Sequence, residues 1–255
     1  MSIHELIAGQ NTLRLNRNLY PGRGIVIGTS LDGKHAVQIY WIMGRSENSR
    51  NRIFSSRGGR LFTEAADPSK VKNPKLIIYN AMDELGGHFI VSNGDQTDTV
   101  MDVFSKQLMA EKRASLSEAL STRQYEPDEP NFTPRITGLC RVGCGIYFSE
   151  ISILRKSELT VPYSCERFFY EYGQLAPGFG FCITTYTGDG DPLPSFKGEP
   201  YILQIGSDIE GVAAQYWQTL NPDNRVSLAV KFIDIASGMS AIYIINKYEK
   251  VSPKV

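Results

Sequence analysis

Four polar stretches interrupt a chain otherwise built of apolar runs, and each carries residue types that hold an anionic, amide-bearing ligand. They are Gly44-Arg45-Ser46-Glu47-Asn48-Ser49-Arg50-Asn51-Arg52; Tyr79-Asn80; residues 91–99, with Ser92-Asn93-Gly94 and Thr97-Asp98-Thr99; and residues 125–135, from Tyr125-Glu126 to Thr133-Pro134-Arg135. A guanidinium presents a rigid fork of donors that matches phosphate oxygens. Asn, Thr and Tyr supply the mixed donors and acceptors that a heterocyclic carboxamide requires. Together they imply a nucleotide-like ligand. Singly, each has a plainer reading as a solvated loop, a turn, a helix cap or an acidic surface loop. Neither a P-loop nor a dinucleotide fingerprint is present, since Gly22-Arg23-Gly24 lacks the third spaced glycine.

The elements that position these stretches are mostly hairpins. Gly24–Gly28 and Ala36–Met43 flank Asp32-Gly33, a strong hairpin signal, and the first polar stretch follows at once. Leu76-Ile77-Ile78-Tyr79 and His88-Phe89-Ile90-Val91 flank Gly86-Gly87, so Tyr79-Asn80 and Ser92-Asn93-Gly94 are expected at neighbouring strand ends. Thr97, Asp98 and Thr99 are competent N-caps, and the spacing after them predicts a helix from about Thr99 to Arg123. Three prolines make residues 125–134 an extended loop. Strands are expected at Gly145–Phe148, Gly180–Tyr186 and Tyr201–Ile205, with a helix near Asp208 to Leu220 and a closing hairpin around Ser237-Gly238. Few helices beside many antiparallel hairpins imply an α+β fold of two stacked sheets, read as one domain over residues 1–255.

Composition narrows the classes. Twenty-seven Lys+Arg balance 27 Asp+Glu, so no overall basic field draws the chain to nucleic acid or an anionic membrane. The first ten residues lack a signal peptide's basic start and long apolar run, and no stretch is apolar enough to span a bilayer, which predicts a cytoplasmic protein. Cys140, Cys144, Cys165 and Cys182 form no Cys-x-x-Cys pair and read as buried free thiols; with three scattered histidines, no metal site is expected. Asn131-Phe132-Thr133 is formally a glycosylation sequon, read here as a chance match or a site element used for another purpose.

In their order along the chain, the polar stretches resemble the archaeal-type IMP cyclohydrolases. That family shares an early Tyr-x-Gly-Arg, an Arg-Ser…Asn-Arg loop, Asn-Pro…Tyr-Asn, Val-Ser-Asn-Gly-x-x-Thr-Asp-Thr and Tyr-Glu-x-Asp-Glu…Thr-Pro-Arg-Ile. The residues that match are Tyr20, Gly22 and Arg23; Arg45, Ser46, Asn51 and Arg52; Asn73, Pro74, Tyr79 and Asn80; Val91 to Gly94 with Thr97 to Thr99; and Tyr125, Glu126, Asp128, Glu129 and Thr133 to Ile136. Departures are residues 1–19 before the family's usual start, an extra segment in the arginine loop and a longer second half.

The resemblance implies the four-layer α-β-β-α sandwich of N-terminal-nucleophile hydrolases. Arg17-Asn18-Leu19-Tyr20 offers no nucleophile at the equivalent point, so hydrolysis by that route is disfavoured. The implied reaction closes 5-formamidoimidazole-4-carboxamide ribonucleotide (FAICAR) to inosine monophosphate (IMP) with loss of water, the last step of purine synthesis, in the enzyme class acting on cyclic amidines. It needs no metal or other cofactor. Holding the formyl carbon against the carboxamide nitrogen is itself worth several kcal/mol. On this reading Tyr79 gives the proton that the departing oxygen needs, since a phenol stays protonated at neutral pH. Glu126 either takes the amide proton or orients Tyr79. Arg23, Arg45 and Arg52 meet phosphate or oxyanion, with Ser46 and Thr97 secondary; Asn80 and Asn93 hold the amide, Asp98 completes the substrate-binding set, and Arg135 either joins it or braces its loop against Asp128 or Glu129. The expected partner is a small purine ribonucleotide, with no nucleic acid or membrane, and a homo-oligomer is compatible with it. At this length a monofunctional cyclohydrolase, without the usual separate transformylase domain, is the expectation. Rival readings are a purine-nucleotide-binding module, which would not need the Tyr–Glu pair, and a divergent amidohydrolase, which would need a nucleophile.

Overall fold

The computed structural model describes residues 2–71, 74, 77–113, 115–160 and 164–251; Asn73 of the resemblance and Leu76 of the expected second hairpin lie outside them. Along the chain the elements are α1 (Ile3–Arg17), β1 (Gly24–Thr29), β2 (His35–Met43), α2 (Glu47–Arg50), β3 (Ile53–Arg57), β4 (Arg60–Glu64), β5 (Tyr79–Leu85), β6 (His88–Ser92), α3 (Gln96–Met109), α4 (Leu116–Ala119), β7 (Arg135–Gly143), β8 (Ile146–Lys156), β9 (Cys165–Tyr172), β10 (Phe179–Thr184), β11 (Tyr201–Gln204), α5 (Ile209–Thr219), β12 (Arg225–Asp234) and β13 (Ser240–Asn246).

Two antiparallel sheets result. One has the order β11-β10-β1-β2-β12-β13 and the other β3-β4-β5-β6-β7-β8-β9. Alternate side chains decide what each face does. Ile25, Ile27, Tyr40 and Ile42 of the first sheet pack with Phe54, Tyr79, Val91, Ile136 and Ile151 of the second in a shared core. The opposite face of the first sheet, with Val26, Ile39 and Trp41, is covered by Leu15 of α1 and by Val212 and Tyr216 of α5. Ile90, Leu139 and Leu154 on the outer face of the second meet Val100 and Phe104 of α3 and Leu116 of α4. A sheet covered on both sides has no polar face, which is why β1 and nearly all of β2 read as unbroken apolar runs. At one margin Asn246 joins the sheets: its Nδ2 donates to Phe54 O and its Oδ1 accepts from Phe54 N, both at 2.9 Å.

Several expectations change. The helix expected from Thr99 to Arg123 is α3, starting at Gln96, followed by the separate α4. Glu111 takes a left-handed conformation (φ 54°) and Lys112 N returns to Gln107 O at 2.9 Å, which closes the first helix. Thr97 to Thr99 therefore lie within its first turn rather than at its cap. The arginine stretch is not all loop, since Ser46 accepts from Ser49 N and caps the short α2. α1 is an element that the hairpin reading passes over, although Ser2 and Glu5 form a reciprocal capping box there. Asn11 and Asn16 tie it down through bonds to Ile202 O and Thr219 O. Of the cysteines, only Cys140 and Cys182 are buried; Cys144 is exposed and Cys165 is intermediate. Among the described residues no helix is long and apolar enough to cross a membrane.

Candidate active site

Strand direction gathers the polar stretches at one end of the two sheets. β1 begins there and β2 ends there, while β5 begins, β6 ends and β7 begins on the facing sheet. Between them lies a cavity of about 270 Å³ lined by Tyr20, Arg23, Arg45, Ser46, Asn48, Ser49, Arg52, Ile77, Glu126, Asp128, Asn131, Thr133, Tyr186 and Leu193.

Arg23 is aimed by the turn before β1. Gly22 sits at φ 73°, and a Cβ on it would come within 2.2 Å of Thr185 Oγ1 and 2.5 Å of the Tyr186 ring, so only glycine fits. Arg23 N then bonds Thr185 Oγ1 at 3.1 Å, and Thr185 N bonds Arg23 O at 2.9 Å. The guanidinium reaches Glu126, with Nη2 3.3 Å from each carboxylate oxygen. Its Nε is buried with no hydrogen-bond partner among the described residues. Burial opposes the charge on Arg23, but Glu126 and the nearby phenols outweigh it and hold its pKa well above the ordinary value. Burial pushes the Glu126 carboxyl upward, and Arg23 only partly opposes this.

Arg52 is the second buried cation, 3 % exposed. Its Nε donates to Ser49 O at 2.9 Å and its Nη2 to Met43 O at 3.4 Å. No carboxylate pairs with it among the described residues. Burial first, and Arg23 second, lower its hold on the proton. Of these two buried guanidiniums only Arg23 is paired with a carboxylate, an arrangement that could hold an anion. Asn48 adds a buried Oδ1 with no partner in the same wall.

Behind the cavity Tyr79 Oη lies 2.6 Å from Tyr40 Oη. Tyr40 is fully buried, Tyr79 is 7 % exposed, and both contribute to the field at Arg23 and Arg52. Burial drives the Tyr40 phenol well above its ordinary pKa, with Tyr79 adding to the effect.

Not every expected residue reaches the cavity. Arg45 and Ser46 line it, but Arg45 is ion-paired to Asp189, donates to Gly190 O at 3.0 Å and lies 5.0 Å from the Tyr20 ring centre. Arg135 pairs with Asp95 at 2.6 Å, not with Asp128 or Glu129, and its field reaches Glu126. Asn93 is spent on the backbone, accepting from Ile136 N at 2.6 Å and donating to Pro134 O at 2.9 Å, which fixes the start of β7. Thr97 is buried against Ser92, with 2.5 Å between hydroxyls. Asn80 and Asp98 stand apart. β5 alternates, so when Tyr79 points into the shared core Asn80 points outward, bonding Asp83 at 2.8 Å and Asp98 at 3.4 Å.

Tyr40, Tyr186 and Asp189 contribute to the site without a sequence signal, while Asn48 lies within the arginine stretch but is not singled out there. Tyr40 and Tyr186 sit in apolar strand runs where a tyrosine reads as core. Tyr186 stacks on Tyr20 (centroids 6.0 Å apart) and reaches Thr133 Oγ1 at 2.5 Å.

Residues 20–238 match the model of a family described as "IMP cyclohydrolase-like protein". The chain belongs to that family. Relatives named IMP cyclohydrolase include those of Halobacterium salinarum, 31 % identical over 121 residues (48 % of this chain, 57 % of the relative), Methanosphaera stadtmanae, 33 % over 121 residues (47 % and 57 %), and Haloquadratum walsbyi, 29 % over 143 residues (56 % and 65 %). The match thus spans little more than half the length of these relatives. The family match begins where α1 ends, at the turn that aims Arg23.

Proposed function

We propose that this chain is an IMP cyclohydrolase, closing FAICAR to inosine monophosphate with loss of water on an N-terminal-nucleophile-hydrolase type of α-β-β-α sandwich. The observation that carries the reading is a buried cation without a carboxylate partner: Arg52, beside the Arg23–Glu126 pair, in a cavity whose wall also holds phenols, hydroxyls, two amides and the partly exposed Asp128. A nucleotide phosphate or a developing oxyanion supplies the missing partner. Arg52 meets the phosphate, and Arg23, with its free Nε, faces the charge that develops on the formyl oxygen.

Tyr79 supplies the proton for that oxygen. It is the more accessible member of its pair, and among the described residues the Tyr40 hydroxyl bonds Tyr79 alone. If Tyr40 donates, Tyr79 keeps its own proton for the ligand, and the buried pair becomes a one-way donor. Glu126 holds Arg23 in place. Asn93 supports the wall, and Arg45 closes the rim through Asp189.

The test is direct. FAICAR incubated with the protein should give IMP, seen by the change in ultraviolet absorbance on ring closure and by chromatography. Tight binding of IMP with no product from FAICAR would instead support a nucleotide-binding module.

A further inference from the structure

Phenols of opposite polarity stand at the cavity, the Tyr40–Tyr79 pair behind it and Tyr186 in its wall. At the Tyr40–Tyr79 pair either oxygen can give the proton. At Tyr186 the surrounding bonds settle the direction. The Asp128 carboxylate accepts twice from Thr133, from its backbone N at 2.6 Å and from its Oγ1 at 2.5 Å. A threonine hydroxyl has one proton, and the bond to Asp128 uses it. Across the 2.5 Å contact with Tyr186, Thr133 Oγ1 can therefore only accept. The Tyr186 proton is committed to Thr133, and what this phenol offers a ligand in the cavity is a lone pair.

A lone pair at that position suits a ligand N–H. Ring closure has an N–H to dispose of, because the carboxamide nitrogen must lose a proton as it bonds the formyl carbon. On the cyclohydrolase reading given above, we propose that Tyr186, Thr133 and Asp128 form the exit for that proton. The nitrogen gives its proton to Tyr186 Oη while Tyr186 passes its own to Thr133 Oγ1 and Thr133 passes its own to the Asp128 carboxylate. In the same step the C–N bond forms, the carbonyl electron pair moves to the formyl oxygen, and that oxygen takes a proton from Tyr79. The C–O bond then breaks as the formamide nitrogen loses its proton and the oxygen takes a second one, leaving as water; the proton on Asp128 passes to solvent, and solvent returns one to Tyr79. Over both steps the two nitrogens release one proton each and the oxygen carries two away, so Tyr79 and Asp128 are restored.

Glu126 is the less suitable receiver. Both its oxygens face Arg23, and protonating it would remove the carboxylate that pairs with that buried guanidinium. Asp128 pairs with no cation among the described residues and is partly exposed, so a proton placed on it can pass to solvent. Burial, against the opposing field of Arg23, lifts the Tyr186 phenol to about 12, which keeps Tyr186 a neutral relay.

The exit makes Thr133 an obligatory link whose hydroxyl matters and whose methyl does not. Steady-state IMP formation should show Thr133→Val lowering kcat by about 10²-fold or more with KM within a few-fold, as expected when a proton-transfer path is removed. Thr133→Ser should recover most of that loss because it restores the hydroxyl. Asp128→Asn should behave like the valine variant. Thr133→Val at full kcat, or Thr133→Ser as slow as Thr133→Val, overturns the exit while leaving an active cyclohydrolase in place. An unaltered protein that makes no IMP overturns the cyclohydrolase reading and the exit with it.

Discussion

Cations are buried at both ends of the two sheets, and they are treated differently. Away from the cavity, Lys231 of β12 is fully buried, yet every demand is met inside the chain: its Nζ is ion-paired to Glu84, donates to Gly59 O at 2.9 Å and lies 5.0 Å from the centre of the Phe89 ring. Ser240 adds a bond to the same carboxylate at 2.9 Å. At the cavity, Arg23 pairs with Glu126, Arg52 pairs with no carboxylate, and Arg23 Nε has no hydrogen-bond partner among the described residues. A charge that serves the fold is closed within the sequence. On the proposed reading the open charges at the cavity serve a ligand, and the fold bears their desolvation until it binds.

The contrast can be broken most sharply at the open end by a change that leaves the charges alone. Tyr79→Phe should lower turnover by roughly 10²–10⁴ while IMP affinity holds, because only the proton donor is removed; near-normal turnover removes Tyr79 from the chemistry. Arg52→Ala should weaken IMP binding by about 10²-fold but inosine binding far less, since the contact has value only when the phosphate is present. Calorimetric titration with both ligands decides this, and equal losses would assign Arg52 to the base or to bracing the wall.

At the closed end the pattern should reverse. Lys231→Met should leave kcat unchanged and cost about 1–3 kcal/mol in denaturant unfolding, below the full price of breaking a buried pair because Glu84 is 35 % exposed and gains water. A loss of activity without a loss of stability would abolish the distinction between the ends. The smallest effect belongs to His88, which packs edge-on against Phe104 with centroids 5.4 Å apart and whose pKa burial holds below 6.5. The unfolded chain takes up this proton more readily than the folded one. Its contribution to stability is therefore complete above pH 6.5 and is lost as pH falls through the depressed folded value. His88→Asn should flatten the fall in melting temperature between roughly pH 7.5 and 5.

Much of this arrangement was legible in the sequence because it depends on local signals. Asp32-Gly33 and Gly86-Gly87 turn where expected, and Asp208 caps α5. The arginine, Tyr79 and Glu126 stretches do converge at one end of the sheets. What could not be read depends on distant partners. Nothing local tells that Asn93 is consumed by the backbone of residues 134–136, or that Tyr186 meets Thr133 across 53 positions. Lys231 lies in an apolar strand, where only the folded neighbour Glu84 explains it. Asn80 differs for a simpler reason: it adjoins Tyr79, and adjacent strand residues face opposite ways.

The two bonds between Asn246 and Phe54 bear on how the protein behaves in a crowded solution. β3 ends its sheet, and an outer strand with free N–H and C=O groups is a template on which another chain can add. At Phe54 both groups are already occupied by one side-chain amide. The clasp that joins the sheets therefore also withdraws this margin from strand-to-strand aggregation.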